Sequence, residues 1–233
     1  MGILDEKVAL ITGTGGGLGR VAAQTFAREG AKVVGCDIKV DANNGTVELV
    51  VRAGGEMTGI APIDLTDPEQ ASKMVEDAVA AYGGIDVVCN NAGIQYFGPM
   101  PDFSIDDWRA TITGELDIPF FVSKFAWPHL VRRGGGVIIN IASHAGMIAA
   151  ETPPWVGHAA AKAGVIGMTR QLALERPLWD PCGGDQSWAF PDPGQRPRPR
   201  RRPGGPRRDY QQDASQALRS TRGDRGARGL HRF

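Results

Sequence analysis

The first 175 residues switch repeatedly between two apolar patterns. An unbroken apolar run falls at residues 8–11, and further strand-like runs at 31–37, 56–65, 85–90 and 137–142. A run with no polar alternation marks a strand covered on both faces, as in a parallel sheet. Segments of helical period lie between the runs, at 20–28, 41–54, 67–82, 104–133 and 156–175. Gly30, Gly54-Gly55, Gly83-Gly84 and Gly134 to Gly136 punctuate the helix ends. Thr66 or Asp67 is placed to cap the third helix, with Pro68 in its first turn. Pro119 and Pro128 predict kinks or breaks in the 104–133 segment. Five alternations of strand and helix predict a three-layer α/β domain. Its sheet is doubly wound and parallel, and its crossovers are right-handed.

In such a sheet, ligands bind beyond the carboxyl ends of the strands. The first run ends in Thr12-Gly13, and Gly13, Gly17 and Gly19 follow at TGxxxGxG spacing, with Leu18 between the last two. A strand, a glycine turn and a helix start present free N–H groups and a positive dipole end, which suits a pyrophosphate. Asp37 closes the second run, 18 residues past Gly19. A carboxylate there accepts hydrogen bonds from ribose hydroxyls and repels a 2′-phosphate, which points to NAD rather than NADP. Asp64-Leu65, then Asn90, Asn91 and Gly93, then Ser143 close the later runs. All fall at the same edge, so each gains weight as a cleft residue.

Composition adds an asymmetry that the zero net charge hides. Residues 1–175 carry 13 Lys and Arg against 20 Asp and Glu, whereas residues 176–233 carry 13 Arg against 6 Asp. Cys36, Cys89 and Cys182 are too scattered for a disulfide framework or a metal site, and the first two sit in apolar runs as small hydrophobes. Acidic residues at 5 and 6 argue against a signal peptide, and no apolar run reaches membrane length. A cytoplasmic protein is the expectation.

These residues together resemble the short-chain dehydrogenases/reductases, over residues 5–175. The resemblance is carried by TGTGGGLG at 12–19, Asp37, Asp64-Leu65, NNAG at 90–93, the serine of NIASHAG at 140–146, and Lys162 in AKAGVIGMTRQLALE. It implies a Rossmann-type fold and NAD(P)-dependent hydride transfer between an alcohol and a ketone. It also implies a homodimer or homotetramer packed through 104–133 and 156–175. Asn90, Asn91 and Gly93 are then expected along the cofactor cleft, and Asp64-Leu65 beside the adenine. The family's serine matches Ser143, and its lysine, which binds the nicotinamide ribose, matches Lys162. Its proton-transferring tyrosine falls on His158, and its helix asparagine on Glu115. An imidazole can move the proton near neutrality. Lys162, one helical turn from His158, favours the neutral base form and hence alcohol oxidation. A relay of Ser143, His158, Lys162 and Glu115 is the expected machinery, with Glu115 holding the lysine. The alternatives are a dinucleotide-binding protein without turnover and a Ser/His/Glu hydrolase. The second is disfavoured because Ser143 lies outside any nucleophile-elbow motif. The resemblance implies a small alcohol or ketone as substrate, with its pocket shaped by loops such as 95–101 and 146–155 and by the missing last segments. Trp155, Pro153 and Pro154 suggest an apolar wall, with plain packing the alternative for Trp155.

At Glu175-Arg176 the pattern stops. Arg, Pro and Gly dominate residues 176–233, which contain no Val, Ile or Met. The last strands of the family fold are missing from that stretch. Three readings stand: a disordered tail, a basic segment for an anionic partner, or a misread frame of a GC-rich gene. Sparse aromatics weigh against nucleic acid.

Overall fold

The computed structural model describes residues 2–149 and 154–175. The 176–233 tail, with its three readings, and Cys182 lie outside the described residues, as does Pro153.

Five parallel strands form one sheet: β1 (Val8–Thr12), β2 (Lys32–Cys36), β3 (Glu56–Ile60), β4 (Val87–Asn90) and β5 (Val137–Asn140), in the order β3-β2-β1-β4-β5. β1 is central, pairing Val8 with Lys32 on one side and Ala9 with Val87 on the other. The apolar character of β1, β2 and β4 is explained by two cores. Ala9, Ile11 and Val33 face one side, packing on Ala23 and Ala27 of α1 (Gly17–Arg28) and Val50 of α2 (Val40–Arg52). Leu10, Val34 and Val88 face the other side. There they meet Met74 and Val75 of α3 (Pro68–Tyr82) and Val122, Ala126 and Leu130 of α5 (Ile118–Arg132). Each fully buried aliphatic side chain contributes about 1.5–3 kcal/mol, so this two-sided burial outweighs any single helix cap. α4 (Ile105–Ile112) and α6 (Val156–Leu174) pack against each other to one side of these layers.

Local signals set the boundaries. Asp67 caps α3 by accepting the Glu69 N–H at 2.8 Å, and Gly83 ends it in the left-handed region at φ 78°. Ser104 caps α4 through the Asp107 N–H at 2.9 Å. Two expected boundaries are corrected. The third strand stops at Ile60 rather than running to Leu65, because Pro62 has no N–H for the ladder. Of the two prolines in the 104–133 segment, Pro128 makes no break and lies within α5, whereas an interruption does precede Pro119. Before Pro119 the chain makes a wide π turn over Thr113–Asp117. Pro119 cannot donate to the carbonyl four residues back, and the wide turn resets the ladder at that point.

At the opposite end of β4 from the predicted cleft, Asp86 ties three elements together. One oxygen accepts the Val8 N–H at 2.9 Å and the Arg133 Nη2 at 2.9 Å; the other accepts the Arg133 Nε at 3.1 Å. Burial pushes its carboxyl up. The Arg133 guanidinium, the Val8 N–H and the Lys7 charge outweigh that and hold it below the usual carboxylate range.

Candidate active site

The glycine-rich turn between β1 and α1 opens into a cleft of about 450 Å³. Gly13, Gly15, Gly16, Asp37, Asp64, Leu65, Asn91 and Gly93 border it. Gly13 sits at φ 74°, where L side chains are strained. A methyl group on Gly19 would run into the Gly13 carbonyl, and one on Gly15 would come within 2.7 Å of Asp37 Oδ2. Nothing stands within 4 Å of the side-chain positions of Gly16 and Gly17. No side chain caps α1 at Gly16, so its first N–H groups are left for a ligand. Closely packed glycines below, open space above and uncapped amides fit a dinucleotide's phosphates. Leu18 points its side chain outward, 68% exposed.

The turn is held by polar groups that sequence reasoning missed. Thr12 Oγ1 accepts the N–H of Asn91 at 3.0 Å and of Ala92 at 2.9 Å. Asn91 Nδ2 returns a bond to Thr12 O at 2.9 Å, fastening the β1 and β4 loops together. Thr46 Oγ1 donates to Thr14 O at 2.6 Å and accepts from Arg20 Nε at 2.9 Å. Arg20 Nη2 also donates to Gly15 O at 2.7 Å, and Thr14 Oγ1 to Asn43 Oδ1 at 2.5 Å. The available signal was helical spacing: Asn43, Thr46 and Val50 share the buried face of α2.

Asp37 stands just past β2 with its carboxylate at the cleft. It accepts the N–H groups of Gly15 and Lys39, both at 2.8 Å, which fixes its orientation. Asp64 accepts the Thr66 N–H at 2.9 Å, and the Leu65 side chain is buried in the core. Asn90 is buried behind the cleft instead of bordering it. Its Nδ2 donates to Asn140 Oδ1 at 2.8 Å and Ser123 Oγ at 3.0 Å, linking β4, β5 and α5. Cys36 and Cys89 are free and buried, and burial pushes their thiols up to about 12 and about 11, so they are inert there.

A second cluster adjoins the cleft at Gly93, where Glu115 Cγ would lie 3.7 Å from an added methyl group. Glu115 is carried inward by the π turn and is 3% exposed. Its two oxygens lie 2.7 and 2.9 Å from His158 Nδ1. Lys162, one turn along α6 from His158, donates to Ile141 O at 2.9 Å and stands 3.6 Å from Glu115. Glu115 thus reaches both residues: it hydrogen-bonds His158 and stands at ion-pair distance from Lys162. A carboxylate acceptor at Nδ1 assigns the ring proton to that nitrogen and leaves Nε2 as the basic position. Ser143 caps the short turn His144–Gly146, its Oγ accepting the Ala145 N–H at 3.2 Å. Gly146 of that turn lies against the α6 backbone, where a methyl group would come within 2.6 Å of Lys162 C and Ala163 N. The rings of Phe97 and Trp155 flank His158, with centroids 6.1 and 6.0 Å away.

Comparison with known proteins gives the same frame. Residues 7–179 match the short chain dehydrogenase family. An uncharacterized oxidoreductase of Thermotoga maritima is 39% identical over 169 residues, which cover 72% of this chain and 65% of that protein. Cyclohexanol dehydrogenase of Acinetobacter sp. strain SE19 is 37% identical, over 73% of this chain and 67% of its own length. The chain thus spans about two thirds of the length of these relatives. Among solved structures, a 7α-hydroxysteroid dehydrogenase in complex with NADH and 7-oxo glycochenodeoxycholic acid superposes with a TM-score of 0.72 at 32% identity. That match covers 76% of this chain and 68% of the other. A short-chain type dehydrogenase/reductase from Mycobacterium marinum gives a TM-score of 0.73 at 29% identity, over 76% and 71% of the two chains. With its parallel sheet, glycine-rich turn and Ser143 and Lys162 positions, the chain belongs to the short-chain dehydrogenase family.

Proposed function

We propose that this protein is an NAD-dependent oxidoreductase that interconverts a secondary alcohol and a ketone, with His158 moving the proton. The observation that carries the reading is His158, fastened by a buried carboxylate one turn from Lys162 and beside the Gly93 rim of the cleft.

In the oxidation direction, Ser143 Oγ holds the substrate oxygen and His158 Nε2 takes its proton. Glu115 keeps the ring oriented through Nδ1 and balances the imidazolium charge that forms, as a carboxylate does for a catalytic histidine. Lys162 is the residue that would reach the nicotinamide ribose, and its bond to Ile141 O fixes its direction. The glycine turn would hold the pyrophosphate, and Asp37 the adenosine ribose. Asn91 and Gly93 would border the nicotinamide half, and Asp64 and Leu65 the adenine. The nicotinamide ring, when bound, supplies the hydride acceptor. Preference for NAD over NADP rests on Asp37, since a 2′-phosphate would meet its carboxylate.

Residues 1–175 form the dinucleotide-binding domain of this proposal. No described helix is long and apolar enough to cross a membrane. A homodimer or homotetramer through α4, α5 and α6 is supported by Trp108, Phe120 and Leu174, large apolar side chains that remain exposed. Free thiols at Cys36 and Cys89 accord with the reducing cytoplasm.

The test is NADH formation by the purified chain with a panel of secondary alcohols, beside NAD and NADP titrations by calorimetry. Turnover with NAD and tighter binding of NAD than of NADP support the proposal. NAD binding without turnover of any alcohol supports the non-catalytic reading instead.

A further inference from the structure

We infer that the surface around His158 is built for an uncharged, ring-bearing secondary alcohol, received by the aromatic side chains of Phe97 and Trp155 beside it. The inference rests on the oxidoreductase reading and adds the substrate class.

Three aromatic contacts converge at this point. Phe97 meets the His158 ring edge-on at 64°, Trp155 lies tilted against the same ring at 41°, and His144 packs edge-on to Trp155 at 5.3 Å. The imidazole itself has a side-chain exposure of only 12%, whereas Phe97 is 50% exposed, so the apolar surface open to a ligand is the flanking ring. Both walls are fixed to the framework. The Gly98 N–H donates to Pro154 O at 3.1 Å, tying the Phe97 loop to the segment that opens α6. The Tyr96 N–H donates to Thr111 Oγ1 at 3.0 Å, tying the same loop to α4. Aromatic faces braced beside the imidazole favour a flat or puckered ring, which meets them over more of its area, over a short open chain.

Charge decides against the other large class of substrates. Residues 91–100 and 141–149 contain no Asp, Glu, Lys or Arg. The cation nearest His158 in α6, Lys162, is engaged by Ile141 O and Glu115. A carboxylate- or phosphate-bearing alcohol would therefore lose its water without gaining a counter-charge from these loops.

The experiment is steady-state oxidation with NAD of cyclohexanol, 2-butanol and 3-hydroxybutyrate, by wild type and by Trp155→Ala and Phe97→Ala. The expected kcat/KM for cyclohexanol is about tenfold or more above that for 2-butanol, the discrimination an apolar pocket can supply. 3-Hydroxybutyrate is expected to be the poorest substrate. Each variant narrows the ring preference about tenfold, acting mainly through KM. A preference for 2-butanol or 3-hydroxybutyrate, or a ratio unmoved by both variants, overturns the inference. Calorimetric titration of cyclohexanone and 2-butanone into the protein with NADH separates the two readings. Ring-selective binding lost in Trp155→Ala upholds the substrate class even if turnover is absent, and equal binding of both ketones refutes it.

Discussion

His158 has one ring nitrogen committed to Glu115 and the other left for chemistry. If that nitrogen is the base, His158→Phe removes the proton acceptor while leaving the cleft intact. NADH formation should drop to background, and the NAD dissociation constant should stay within about twofold. General-base removal typically costs 10²–10⁴-fold, so the assay range suffices. Glu115→Gln is the finer probe. A neutral amide still hydrogen-bonds the ring but no longer balances the imidazolium, so kcat should fall about tenfold or more with KM for NAD little changed. Equal kcat for Glu115→Gln and wild type would assign Glu115 to packing alone. Much of this cluster was legible in the sequence: i, i+4 spacing put His158 and Lys162 on one helix face, and the family resemblance put Glu115 near them. The choice of partner was not, because spacing within one helix says nothing about which neighbour a residue of another helix reaches first.

At the scale of elements, the glycine turn is a packed object rather than a flexible loop. Gly19→Ala drives a methyl group into the Gly13 carbonyl. Overpacking of this kind costs about 1–3 kcal/mol, and each kcal/mol lowers Tm by about 2–4 °C in a chain of this size. Thermal melts with and without NAD should show a lower midpoint and a smaller ligand-induced rise. Thr46→Val should behave differently. It strips the acceptor from Arg20 Nε and the donor from Thr14 O, at about 1–3 kcal/mol, with no atom of its own in the cleft. The strands and helices were legible because their apolar runs and glycine stops act locally. Two features escaped. The π turn adds one residue to a stretch that otherwise keeps helical spacing, and such a change hardly alters an apolar pattern. Asn43 and Thr46 carry no motif that singles them out, yet they are fully buried against the turn. Asn90 escaped likewise, since nothing in NNAG says which asparagine faces inward.

Across the whole molecule, Asp86 and Arg133 brace β4 to the start of β1 and to the end of α5. The sign of the acid response follows from the Asp86 carboxyl, held below its ordinary value of about 3.9. Its contribution is fully present above pH 4 and is lost as pH falls through the lower, folded value. Asp86→Asn should reduce stability at pH 7 and flatten the decline below about pH 4. Urea midpoints measured across that range check both limbs, and parallel acid limbs would rule the brace out. Because every strand of the sheet runs the same way, this brace and the glycine turn lie at opposite ends of the strands. Random variants screened twice, once for heat resistance and once for turnover, should therefore separate into two geographical populations. Engineers who stabilise the lower end through Arg133, Asp86 and their neighbours can do so without disturbing recognition at the upper one.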